Sequence, residues 1–237
     1  MFNLNEGLLS YLFPDGIRAF VLFGSLFVVL FISYLLGSIN SAILISKTVY
    51  RDDIRKHGSG NGGMTNMLRT FGGKAALMTL AGDLLKTAIS ILIAASVFGF
   101  RYFAGVSTQG FCYCAGLFAV LGHIFPIYYK FKGGKGVLVT STMALILTPI
   151  PFLILFALFV GVVAMSKYVS LGSVCVAVLY PVMLRGTFAV IGIPLDGLIA
   201  LSSITLACLI VWCHRENLQR ISERKERKLS FGKKKDE

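Results

Sequence analysis

Seven apolar stretches, near residues 19–46, 75–98, 108–125, 137–150, 152–166, 168–185 and 195–213, occupy most of this 237-residue chain. A helix needs about 20 apolar residues to cross the hydrocarbon core of a bilayer, and in that core the backbone must satisfy itself within helices or closed barrels. The first, second and last stretches meet that length directly. Pro149 and Pro151 divide the stretch 137–166; they either turn a hairpin or kink one long helix, and two short helices are the preferred reading. Charged residues make up 14% of the chain, against about 25% in a typical soluble domain, too few to cover a water-facing surface. The expected fold is an all-α integral membrane protein of about seven transmembrane helices.

The formal net charge of +12 sits in loops and in the tail. That placement suits anionic lipid headgroups and anionic substrates, and argues against nucleic acid as a partner. With seven spans and the N-terminus outside, segments 47–74, 126–136, 166–167 and 214–237 face the cytoplasm. They carry 6, 3, 1 and 9 Lys/Arg, whereas the outer segments keep Arg18, Arg101 and Arg185. The bias puts the C-terminus inside; an N-terminus outside then follows from an odd number of spans. Residues 1–221 read as one transmembrane domain and 222–237 as a mobile basic tail against anionic lipid. The first apolar run is too long for a signal-peptide core and lacks a basic leader, so it reads as a retained span. Cys112, Cys114, Cys175, Cys208 and Cys213 lie in apolar stretches without C-x-x-C spacing and read as small buried hydrophobes.

Polar residues concentrate in three clusters, all on the expected cytoplasmic side. The first runs from Asp53 to Arg69 and contains Gly58-Ser59-Gly60-Asn61-Gly62-Gly63. Its glycines permit tight turns whose amides can point at an anion. A helix beginning near Thr65 would put Thr65 and Arg69 on one face and offer its N-terminus to negative charge. The second runs from Gly122 to Gly136, with Gly133-Gly134-Lys135-Gly136 setting an ammonium among unshielded amides. It is no Walker A loop, because Gly136 follows Lys135 where Ser or Thr is required. The third is His214-Arg215-Glu216-Asn217 at the end of the last span, with His214 and Asn217 on one helix face. Deeper in, Asp83 and Lys86 stand at i, i+3 within a span and read as an internal ion pair facing the bundle. Two anion sites side by side point to group transfer between phosphorylated small molecules. His57, His123 and His214 are far apart in sequence without carboxylate partners in ligand spacing, so no metal or other cofactor is expected.

In order and spacing, over roughly 160 residues, these clusters resemble the three cytoplasmic signatures of the bacterial acyl-phosphate:glycerol-3-phosphate acyltransferase (PlsY) family. The resemblance implies seven spans in the bacterial inner membrane, with the active site facing the cytoplasm. It implies transfer of an acyl group from acyl phosphate to the 1-hydroxyl of sn-glycerol 3-phosphate, giving lysophosphatidic acid for phospholipid biosynthesis. Carried over by motif position, Ser59, Arg69, Lys135, His214 and Asn217 would bind glycerol 3-phosphate, with Lys135 and His214 catalytic. Gly60, Asn61, Thr65, Asn66, His123, Gly133 and Gly134 would hold the acyl-phosphate group. Met64 departs from the family, which usually has Ala there. A soluble enzyme that makes acyl phosphate is an implied partner. The alternative reading is a transporter of phosphorylated metabolites, which would place its site near the midplane between repeats; no repeat is visible. The H-x-x-x-x-D motif of acyl-CoA-dependent acyltransferases is absent, since Gly62, Tyr128 and Gln219 stand five residues after the three histidines.

Overall fold

The computed structural model describes residues 7–12, 19–99, 102–103 and 106–229. Among these it contains α1 (Gly7–Leu12), α2 (Ala19–Ser38), α3 (Ser41–Thr48), α4 (Met64–Phe71), α5 (Gly73–Phe98), α6 (Thr108–Ile124), α7 (Val137–Leu147), α8 (Pro149–Ser166), α9 (Val169–Val190), α10 (Gly197–Cys213) and α11 (Arg215–Ser222). Tyr102–Phe103 and Val106–Ser107 form a two-residue antiparallel pair. Arg18, Arg101 and residues 230–237 of the expected tail lie outside the described residues.

The protein is an all-helical integral membrane protein. Among the described residues, five helices are each long and apolar enough to cross a bilayer, and a sixth span is made if α10 and α11 are joined through their 51° bend. With 11 residues, α7 reaches only about 16 Å at 1.5 Å per residue. A helix break falls where Pro149 and Pro151 were expected to make one. Helix α7 ends at Leu147 and α8 opens with Pro149 in its first position, where the missing N–H costs no helical bond. The expected span 19–46, however, is two helices. Chain direction changes at Ile39–Asn40, and the Asn40 side chain accepts from the Ile43 amide to start α3, an N-cap.

At the centre lies α6, buried over 67% of its apolar window against 17% for α2 and α8. Small residues allow that position. A Cβ on Gly37 of α2 would overlap the backbone of Ala119, and one on Gly122 would overlap the Tyr34 carbonyl. The outer faces of α2 and α8 carry exposed Phe20, Phe23, Phe27, Leu153 and Ile154, as lipid contact requires. All five cysteines are free thiols.

Candidate active site

The three polar clusters meet where α4 and α7 begin and α6 and α10 end. Asp53 starts the first loop by accepting from the Arg55 amide, and its carboxylate also receives Arg55 Nη2 at 2.7 Å. The Arg55 side-chain bonds hold the Asp53 carboxyl down at about 2. Arg55 Nη1 then donates to the Tyr129 carbonyl at 3.2 Å, and the Gly62 amide reaches the Gly133 carbonyl at 3.4 Å. The first and second clusters are thereby tied into one surface.

Asn66 is the knot of the first loop. Its Nδ2 serves the carbonyls of Ile54, His57 and Asn61 at 3.2, 3.0 and 3.1 Å, and its Oδ1 accepts from the Ser59 amide at 3.1 Å. The side chain is therefore spent on the loop rather than offered to a phosphate. The three glycines expected to present amides differ in the same way. The Gly60 amide donates to the His57 carbonyl at 2.9 Å, Gly133 to Ile124 at 3.2 Å and Gly134 to His123 at 3.0 Å. None of the three lines the cavity described below. Glycine is required there for turn geometry and close approach: Gly60 has φ +70°, and a Cβ on Gly133 or Gly134 would overlap the His123 carbonyl or its ring. The first turns of α4 and α7 border the cavity at Met64, Thr65, Val137 and Leu138. First-turn N–H groups have no intrahelical acceptor and favour anions.

His123 is buried in a charged knot. Lys86 Nζ lies 2.8 Å from Asp83 Oδ1 and 3.0 Å from His123 Nδ1, and donates to the Gly37 and Ile39 carbonyls at 3.2 and 3.0 Å. Ser41 Oγ adds a bond to Asp83 at 2.9 Å. The expected Asp83–Lys86 pair is thus real and faces the bundle, joining α2, α3, α5 and α6. Because an ammonium only donates, His123 Nδ1 accepts and Nε2 carries the proton; Asp83 and His123 border the cavity.

The third cluster is organised by a residue that sequence reasoning missed. Lys135 Nζ donates to Asn217 Oδ1. Asn217 Nδ2 donates to Glu226 Oε1 at 2.6 Å, and Glu226 also accepts from Ser170 Oγ at 2.9 Å and Arg220 Nε at 2.8 Å. Burial opposes ionisation of Glu226, but the bonds from Asn217, Arg220 and Ser170 outweigh it and hold the carboxyl below its ordinary value. Residues 223–229, placed in the tail by the sequence reading, pack back on the bundle, with the Leu229 amide 2.7 Å from the Lys167 carbonyl. No pattern marks Glu226 in the sequence, because its partners lie 6, 9 and 56 residues away. His214 is buried, and its Nδ1 bonds the Ile210 carbonyl at 2.8 Å. A carbonyl only accepts, so Nδ1 holds the proton and Nε2 carries a lone pair. Burial pushes the imidazole down to about 4. Burial, followed by repulsion from Arg220, also lowers the Lys135 ammonium, and burial with Arg227 lowers Arg69. Cations crowded in this way favour a bound anion.

A single cavity of about 690 Å³ joins these groups. Ser59, Asn61, Thr65, Asn66, Arg69, His123, Lys135, His214 and Asn217 line its polar part, and Phe152, Phe156, Phe159, Val176, Tyr180 and Leu206 continue it as an apolar trough between α8, α9 and α10. The arrangement can hold anions at one end and an alkyl chain at the other.

Residues 27–224 match the family model described as glycerol-3-phosphate acyltransferase. Over 227 residues the chain is 39% identical to the glycerol-3-phosphate acyltransferase of Mycoplasmopsis agalactiae, covering 84% of this chain and 91% of that protein. It is 40% identical over 201 residues to that of Finegoldia magna, covering 84% and 93%. Crystal structures of PlsY (YgiH), an integral membrane glycerol 3-phosphate acyltransferase, are similar in fold. The glycerol 3-phosphate form has TM-score 0.75 at 32% identity, and the lysophosphatidic acid form 0.73 at 30%; each alignment covers 87% of this chain and 96% of the other. The chain belongs to the glycerol-3-phosphate acyltransferase family.

Proposed function

We propose that this membrane protein transfers an acyl group from acyl phosphate to the 1-hydroxyl of sn-glycerol 3-phosphate, producing lysophosphatidic acid and inorganic phosphate. One observation carries the reading: a single cavity joins a mouth bearing Arg69, Lys135, His214 and Asn217 to an apolar trough. An amphiphilic product needs both parts. Arg69, Lys135 and Ser59 take the glycerol phosphate. The first turns of α4 and α7, with His123 Nε2–H, take the phosphate of the donor, whose alkyl chain lies in the trough.

In the reaction the hydroxyl oxygen attacks the carbonyl carbon, the bond from that carbon to the phosphate oxygen breaks, and the hydroxyl proton leaves on the phosphate. Alignment and charge stabilisation are the protein's main tasks. His214, lowered to about 4, is too weak a base to drive proton removal near neutrality. Its Nε2 lone pair orients the hydroxyl, and the donor's phosphate oxygen takes the proton. We read the chain as seven spans in a bacterial inner membrane, N-terminus outside, with the mouth facing the cytoplasm, where a soluble acyl-phosphate-forming enzyme would deliver substrate.

Purified protein given glycerol 3-phosphate with acyl phosphate, and separately with acyl-CoA, tests this. Lysophosphatidic acid is expected from acyl phosphate alone. Product from acyl-CoA would overturn the donor assignment, and none from either would overturn the function. Single cysteines replacing Lys132 and Arg185 in a cysteine-free background should label from opposite sides of the membrane.

A further inference from the structure

Three hydroxyls from three parts of the fold meet beside the trough, where Tyr180 borders the cavity. Tyr180 Oη of α9 lies 2.9 Å from Tyr113 Oη of α6 and 3.2 Å from Thr148 Oγ1, at the α7–α8 turn; Tyr113 and Thr148 are 3.1 Å apart. All three residues are buried, in a region otherwise built from Phe, Leu, Val and Ala. On α9, Ser173, Val176, Ala177 and Tyr180 border the cavity at helical spacing, and Ser170 meets Glu226 at the polar end.

We infer that the Tyr113–Thr148–Tyr180 cluster is the floor of the acyl trough and sets the chain length this enzyme transfers best. The inference rests on the acyl-transfer reading above and names a specificity determinant within it. Buried hydroxyls satisfied by one another border apolar surface at little cost, but forcing them apart leaves unpaired polar groups. The floor therefore resists a methylene pushed against it. Tyr113 stands behind it, fully buried in the central helix, so the floor has no space into which to retreat. From Ser170 to Tyr180 the helix rises about 15 Å at 1.5 Å per residue. An extended chain advances about 1.2 Å per bond, from 3.3–3.6 Å per three-bond residue, so the trough holds about a dozen bonds.

The test offers the purified enzyme acyl phosphates of about 10 to 18 carbons and compares kcat/KM, where each misfitting methylene in an apolar pocket is worth on the order of tenfold. For the unaltered protein kcat/KM should rise to a maximum near 12–14 carbons and fall beyond it, as about a dozen bonds requires. Tyr180→Ala should move the maximum to longer chains. Ala177→Leu, which adds bulk one turn nearer the mouth, should move it to shorter ones. If Tyr180→Ala does not fold, the Ala177→Leu profile decides alone. A flat length profile in the unaltered protein, or an unmoved maximum in the folded variants, overturns the floor. Absence of lysophosphatidic acid at every length would instead overturn the acyl-transfer reading.

Discussion

Lys86 and Lys135 put the same charge to opposite uses. The Lys86 ammonium is matched to the Asp83 carboxylate, two carbonyls at the end of α2 and the His123 ring. Its charge is cancelled within the protein. Lys135 meets a neutral amide oxygen, that of Asn217, whose own amide group donates to Glu226. Its field is left over for something else. A cation neutralised by the fold is a strut, while one positioned by dipoles among other cations is preorganised for an anion.

The largest effect should come from breaking the strut. Lys86→Met leaves Asp83 buried and uncompensated, which costs about 3–5 kcal/mol of stability, read as a lower unfolding midpoint in detergent. Adding Asp83→Asn should recover much of that loss. A Lys86→Met protein that unfolds like the parent but transfers no acyl group would erase the distinction between the two lysines.

Next, Lys135→Met should lower kcat on the order of 10²–10³-fold, the cost of one donor to a developing anion, while the unfolding midpoint holds or rises as repulsion with Arg220 is relieved. Equal losses of midpoint and rate would make Lys135 a second strut. The two glycine loops sharpen the same contrast. Gly134→Ala drives a methyl into the His123 ring and should cost about 1–3 kcal/mol together with activity. Gly60→Ala strains only a positive φ, at about 1–2 kcal/mol, and should largely spare the rate of the folded fraction.

The last effect concerns pH and appears only on acidification. His214 is held at about 4 when folded, against about 6.5 when unfolded, so between those values the unfolded chain binds the extra proton. Its contribution to stability is complete above about pH 6.5 and is lost as pH falls towards 4. The acid limb of kcat/KM should follow the substrate's phosphate, near pH 6, and His214→Gln should lower the rate without moving that limb. A limb that disappears in the variant would show His214 titrating in the working range.

Much of this was legible in advance, for reasons that differ by residue. Apolar stretches and proline positions predicted α5 to α10 within a few residues, because lipid imposes length and composition locally. The helix start near Thr65, which sets Thr65 and Arg69 on one face, followed from local pattern as well. The break at Asn40 was not legible, since Ile39 and Asn40 interrupt an apolar run only once the Asn40 side chain has two partners, the Ile43 amide and the Gly62 carbonyl. Asn66, Gly133 and Gly134 were assigned to phosphate by resemblance, from motif position. Their hydrogen bonds go inward, and motif position does not record direction.

By itself, the sequence determined that this chain lives in a membrane as helices, and it raised the expectation that three polar clusters carry its chemistry with anions as ligands. These follow from residue type and spacing, which transfer energies and charge set without reference to distant neighbours. Tertiary structure alone decided that Glu226 meets Asn217, that Lys86 also joins His123 and the end of α2, and that the hydroxyls of Tyr113, Thr148 and Tyr180 meet one another. Each of those outcomes depends on which groups lie within about 3 Å of one another, and residues 9 to 67 positions apart meet at that distance only once the helices have packed.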